Sequence, residues 1–398
     1  MIGIPLFIFT YSLLIFYYVP LLINSSPNIP FLENFTLFVR YQELIEYKKY
    51  FLTVYSCVFA SLLFLLLGYL IPLKLPNLFF ANKNSNLSKV LLITTVFLFT
   101  LQIFGIISYG PSYFEGYYSI ANSQSFPSAL QLSIIASEFI GIINAINISI
   151  RNPNKYILPI FISSLVLLIF RAKRLELLSL IVPSFLALQK RNLATFKSKY
   201  KFIILFALAL IFLAALGTLR IRGNVSILSM IYNLMLEPFL GSQTFQGFLT
   251  INDGMPRFLF VNTLAGLFSI IPTIIFPNKW EYLSTLGYYE NKDLNANGAN
   301  VVLTGLFDDY GILGIIIFSF FLGVIIRYAD KSRIFDNTIS YKSNLISLNT
   351  ILYYLMPVII LHFRDGFANT IKYFIQGFAF VCFVILISNQ FKIIQIKK

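Results

Sequence analysis

The chain has one histidine, two cysteines and one tryptophan in 398 residues, with only 16 Asp/Glu. These shortages exclude several kinds of chemistry at once. Cys57 and Cys382 each sit inside an apolar run, so no disulfide framework is available. With His362 as the single imidazole, no Cys/His metal set can be assembled, and neither a metal nor a cofactor is expected. There is no phosphate-binding G-x-x-x-x-G-K-[ST] loop, no dinucleotide-type G-x-G-x-x-G in a βαβ setting, no H-E-x-x-H and no soluble-glycosidase carboxylate pair. An intracellular nucleotide therefore has no visible docking place. The start, Met1 to Asn24, lacks a basic n-region and a small-residue cleavage site, so it reads as a retained first span.

What is abundant is apolar side chain. Hydrophobic residues make up 58% of the chain and charged ones 12%, with a mean hydropathy of +0.78. No soluble fold hides that much apolar surface, so the fold class is an all-α polytopic integral membrane protein. Runs of spanning or near-spanning length are Ile4–Ile23, Leu52–Ile71, Val90–Ser108, Leu130–Ile148, Tyr156–Phe170, Leu175–Gln189, Phe202–Leu219, Leu303–Ile326, Leu345–Leu361 and Ile371–Ser388. Two more stretches, Ile227–Leu249 and the Pro272-containing Phe258–Phe276, form either a further pair of spans or two half-buried helices. The expectation is 10–12 transmembrane helices in one domain, 1–398, with a large segment, 220–302, on the outer side.

Charge sets the orientation. The loops Pro72–Lys89, Arg151–Lys155, Lys190–Lys201, Arg327–Asn344 and the tail after Asn389 together hold 17 Lys/Arg, against Asp330 and Asp336 alone. The other side, with the residues at its membrane boundary, holds the remaining 13 Lys/Arg against 14 Asp/Glu. By the positive-inside rule both termini are cytoplasmic, and the net charge of +14 reports topology rather than nucleic-acid binding.

On the outer side, charges gather at helix ends. Arg171-Ala172-Lys173-Arg174 forms the tip between two short spans, where three cations beside hydrocarbon need compensation. Arg220, Arg222 and Arg257 lie in the long segment, and Arg364 lies in the last outer turn, His362-Phe363-Arg364-Asp365-Gly366. Each cation has a plain reading as a C-terminal dipole partner or a snorkelling side chain. As a set, these mostly arginine cations offer planar forks that match phosphate oxygens, and they point to a lipid-linked phosphate or diphosphate. Asp308 and Asp309 are expected at the N-terminus of the next span, either as dipole partners or as substrate contacts. Tyr109, Tyr113, Tyr117 and Tyr118 read as an interfacial belt or as sugar-stacking rings.

Gly305-Leu306-Phe307-Asp308-Asp309-Tyr310-Gly311-Ile312-Leu313-Gly314-Ile315-Ile316-Ile317, after the small polar Asn297-Gly298-Ala299 run, resembles the late-chain signature of Wzy-type oligosaccharide repeat-unit polymerases. Arg364-Asp365-Gly366-Phe367 resembles a reordered form of the Arg-Gly-Asp-Phe turn before their final span, and the Arg171–Arg174 tip and the Arg220/Arg222 pair are similar to theirs. The resemblance implies a GT-C-like membrane glycosyltransferase in the bacterial cytoplasmic membrane. Such an enzyme joins undecaprenyl-diphosphate-linked repeat units on the outer face to make O-antigen, capsule or a related polysaccharide. Its partners would be lipid-linked donor and acceptor, membrane lipids and a chain-length regulator, without nucleic acid. Arg171, Lys173, Arg174, Arg220, Arg222, Arg257 and Arg364 are then the candidates for holding diphosphate. His362, Asp365 and Glu237 are the candidates for activating the acceptor hydroxyl. An O-antigen ligase and a flippase of lipid-linked oligosaccharide are the alternatives.

Overall fold

The computed structural model describes residues 5–24, 49–72, 78–82, 87–110, 127–150, 153–170, 174–192, 241, 244–271, 275–288, 301–330, 345–387 and 391–395. Nine of the ten apolar runs form helices there; the tenth, Phe202–Leu219, lies outside the described residues. The helices are α1 (Pro5–Asn24), α2 (Phe51–Leu70), α3 (Leu87–Tyr109), α4 (Pro127–Ser149), α5 (Ile157–Phe170) and α6 (Arg174–Asn192). After them come α7 (Val261–Ile270), α8 (Lys279–Thr285), α9 (Val302–Asp330), α10 (Leu348–Leu361) and α11 (Phe367–Ile387). Phe51–Leu70, Leu87–Ser108 and Val302–Asp330 are long and apolar enough to cross a membrane. The chain is thus a helical membrane protein.

Prolines place two of the helix ends. Ile71 precedes Pro72 and Ile271 precedes Pro272, and both adopt extended backbone, because a following proline disfavours the helical region. Pro272 therefore cuts the apolar stretch Phe258–Phe276 to the ten residues of α7. At 1.5 Å per residue α7 measures ~15 Å, half a hydrocarbon core. α7 is thus too short to span by itself; most of its companion stretch, Ile227–Leu249, lies outside the described residues.

Among the described residues the most extensive helix contact is α2 against α9, and small residues permit it. A Cβ on Gly68 would lie 2.0 Å from the Phe320 carbonyl oxygen, and one on Gly323 would lie 2.2 Å from that of Leu65. The Ser61 and Ser319 hydroxyls meet at 3.0 Å in the same seam. Close backbone approach through small residues replaces the hydrophobic drive that lipid does not supply. Gly323→Val should therefore destabilise the protein by ~3 kcal/mol or abolish its accumulation, read by fluorescence size-exclusion chromatography in detergent. Retention of the wild-type profile would show that the seam can open.

Polar groups tie three helix ends together beyond this seam. Asp330, at the end of α9, accepts from the Leu6 and Phe7 backbone N–H groups at 3.3 Å and from the Tyr69 hydroxyl at 3.2 Å. Arg327 donates to the Tyr69 and Leu70 carbonyls at 2.6 Å, closing the end of α2. At this same end of the bundle three strands form an antiparallel sheet in the order β2 (Leu345–Ser347), β1 (Leu78–Asn82), β3 (Phe391–Gln395). Phe80 pairs with Ile346 on one side and Ile393 on the other.

The chain is helical as its composition implies, and this small sheet is a departure from a purely α fold. The apolar pattern places Leu345–Ser347 in a span and Phe391–Gln395 in a tail, because short apolar runs carry no periodicity that separates strand from helix. The three strands come from segments rich in Lys/Arg or directly following one.

The signature stretch also folds differently from expectation. α9 starts at Val302, so Asp308 and Asp309 do not stand at its N-terminus. It breaks at Gly311, whose φ of 64° and ψ of −160° are open to glycine and strained for other residues. Residues 302–310 thus form a separate short helix ahead of the membrane-length part, 312–330.

Candidate active site

The site begins where α10 stops. His362–Asp365 makes a single 3-10 turn, and Gly366, with φ 92°, reverses the chain into α11. That tight reversal swings His362 inward, leaving it 2% exposed. Its ring stacks on Tyr373 at 3.6 Å between centroids and 11° between planes. Nδ1 lies 2.8 Å from Asp365 Oδ2, and Nε2 lies 2.8 Å from Glu138 Oε1 near the middle of α4.

Ionised carboxylates only accept, so an imidazole between two of them donates from both nitrogens and is a cation. Burial alone would lower the His362 pKa. The Glu138 and Asp365 carboxylates outweigh burial and raise it to about 9. At neutral pH His362 is therefore protonated, with neither nitrogen open to take a proton from substrate.

More charge surrounds this array. Glu176, in the first turn of α6, is 5% exposed and acts electrostatically on Glu138. Lys372 of α11, 6% exposed, lies within electrostatic reach of Glu138, Asp365 and Lys279. Lys279 opens α8, is 3% exposed, and donates to the Ile271 carbonyl; burial lowers its pKa. Arg364 Nε stands 3.6 Å from Asp365 Oδ1. In this group Asp365 and Arg364 are the half-buried members, with 28% and 20% of their side chains accessible, and Asp365 is the only such carboxylate.

The group joins two regions that the sequence leaves far apart. α6 begins at Arg174, so Glu176 brings the first turn of α6 within electrostatic reach of Glu138. α5 has 14 residues, about 21 Å, and α10 also has 14; both stop short of a full hydrocarbon core. Only the backbone of Arg174 is described. Arg171, Lys173, Arg220, Arg222 and Glu237 lie outside the described residues, as do Tyr113, Tyr117, Tyr118 and the Asn295–Asn300 run.

Arg257 takes a different place. Its guanidinium grips Asp308 with both prongs, Nε to Oδ1 at 2.7 Å and a terminal nitrogen to Oδ2 at 2.6 Å, and donates to the Gly287 carbonyl at 3.1 Å. Asp309 accepts from the Asn262 and Thr263 backbone N–H groups at 3.1 and 2.7 Å, and from the Thr263 hydroxyl at 2.6 Å. The two acids thus serve the N-terminus of α7, not that of their own helix. Between them they hold a loop in which Phe258 and Phe260 adopt left-handed backbone. In this arrangement Arg257 and Asp308 act as a fastener for that loop.

Glu138, Lys372 and Lys279 are not among the residues that sequence reasoning singles out, although a signal is present. Glu138 interrupts the run Leu130–Ile148 and Lys372 lies at the head of Ile371–Ser388. An ionisable residue inside a span is itself a functional pointer. Among the described residues no group of three or more His, Cys, Asp or Glu is arranged to hold a metal ion. Comparisons with protein-family models, with curated proteins and with solved structures give no match.

Proposed function

We propose that this protein is a membrane glycosyltransferase that polymerises undecaprenyl-diphosphate-linked oligosaccharide repeat units on the outer face of the bacterial cytoplasmic membrane. One observation carries the reading: a charged cluster, Glu138, His362, Asp365 and Lys372, lies sunk among helices at the last outer turn, with Glu176 from the first turn of α6 acting on Glu138. Burying such charge in a membrane protein is expensive and marks a working site. The donor's diphosphate develops negative charge as its glycosidic bond breaks, and fixed cations stabilise that charge. Arg364 borders the cluster through Asp365; Arg174, Arg171, Lys173, Arg220 and Arg222 are the further candidates. A carboxylate beside them suits an acceptor hydroxyl that must lose a proton. The sequence resemblance and the lack of a nucleotide motif support the same reading.

Deleting the gene should leave surface glycan with a single repeat unit. Loss of all attached glycan would point instead to a ligase. Arg174→Ala should abolish polymer above one unit while the protein still inserts, as should Arg222→Ala; normal chain length in both would remove them from the site.

A second reading has its own support. Buried Lys372 and Glu138 are also what a carrier of lipid-linked oligosaccharide would place along a path through the bundle. That reading requires repeat units to accumulate on the cytoplasmic leaflet after gene deletion.

A further inference from the structure

We infer that Asp365 is the group that takes the acceptor hydroxyl's proton, and that Glu138 and His362 are positioning residues that hold it ionised and aimed at substrate. This rests on the polymerase reading and assigns the proton transfer within it. The geometry selects Asp365 from three carboxylates. Glu138 and Glu176 are 1% and 5% exposed, whereas the Asp365 side chain is 28% exposed. Asp365 Oδ2 is bound to His362, and Oδ1 lies on the side of Arg364, the cation of the same turn. A carboxylate next to an arginine is where a hydroxyl can meet both a proton acceptor and the donor's diphosphate.

The step balances without a co-reactant. The acceptor oxygen uses a lone pair to form a bond to the donor's anomeric carbon. The bond from that carbon to the diphosphate oxygen breaks, its electron pair leaving with undecaprenyl diphosphate. The hydroxyl proton passes to the Asp365 carboxylate. His362 does not exchange a proton in this step. Its Nδ1–H keeps Oδ2 occupied and its positive charge keeps Asp365 ionised, while Glu138 fixes the ring through Nε2 and the Tyr373 stack sets its plane.

The array should leave a mark on the pH profile. The charged groups bearing on it are Glu138 from α4, Glu176 from α6 acting on Glu138, Asp365 and Arg364 within the turn, and Lys372 from α11, itself opposed by Lys279 from α8. Losing the Glu138 charge removes the strongest attraction that keeps His362 protonated, while burial remains.

The test uses the purified full chain in lipid nanodiscs, supplied with lipid-linked repeat units extracted from a strain deleted for the gene, between pH 6 and 10. The wild type should elongate at neutral pH and lose activity above about pH 9. Asp365→Asn should lower turnover on the order of 10²-fold or more with KM little changed. Glu138→Gln should move the alkaline fall downward by at least about one pH unit. A working wild type with Asp365→Asn at full turnover, or with the Glu138→Gln limb unmoved, overturns the assignment alone. A wild type that makes no polymer at any pH overturns the polymerase reading and the assignment with it.

Should Glu138→Gln fail to fold, the wild type alone decides. His362 is the only histidine, so its ¹⁵N imidazole signals need no assignment. Both nitrogens should carry protons at pH 7.5, and a neutral ring there overturns the inference.

Discussion

Replacing Arg257 by methionine should destabilise the protein by about 3–5 kcal/mol, and replacing Asp308 by leucine should do the same. The double replacement should recover most of the loss. The pair is 14% and 5% exposed, so removing one partner strands a charge in a nearly dry site. Removing both leaves two apolar side chains, which that site accepts. The fork does a second task, because Phe258 and Phe260 follow it with positive φ. Left-handed backbone costs a non-glycine residue roughly 1–2 kcal/mol, and that strain persists only while neighbouring bonds hold it. The Phe258 N–H bonded to the Asp308 carbonyl at 3.0 Å is one such bond. Thermal unfolding of the three variants in detergent measures the coupling. Equal, additive losses would mean that the two side chains act independently. Loss of polymer from Arg257→Met at unchanged stability would return Arg257 to the diphosphate candidates.

Raising the pH should also loosen the protein, through His362. Its pKa rises from 6.5 to about 9 on folding, so the folded state binds the proton more tightly than the unfolded one. Stability from this linkage is therefore complete below about pH 6.5 and is lost as pH climbs through about 9. Two and a half pH units correspond to roughly 3 kcal/mol. The melting temperature in nanodiscs should fall between pH 6.5 and 9.5, and His362→Gln should flatten that fall. A slope preserved in His362→Gln would assign it to other groups.

The helices were legible because apolar length alone announces them, and all nine runs that fall among the described residues form helices. Their ends were legible where proline stood, as at Pro72 and Pro272. What escaped was pairing. The sheet needs residues 78–82, 345–347 and 391–395 together, and no local period encodes a partner so distant.

The same limit applied to the site. The His362 turn was visible as a dense polar pentapeptide, but its partner Glu138 lies 224 positions away. Arg257 looked like one more phosphate fork until Asp308 and the Gly311 break set it on the α7 loop. Glu138 and Lys372 lie inside apolar runs, away from the helix-end charges that stand out in the sequence.

The most direct measurement is elongation itself. Purified protein in nanodiscs, given single lipid-linked repeat units and neither nucleotide nor metal supplement, should yield a ladder of longer lipid-linked glycans and release undecaprenyl diphosphate. Units left single while moving from one leaflet to the other, or passing only to a different lipid acceptor, would contradict the proposed polymerase.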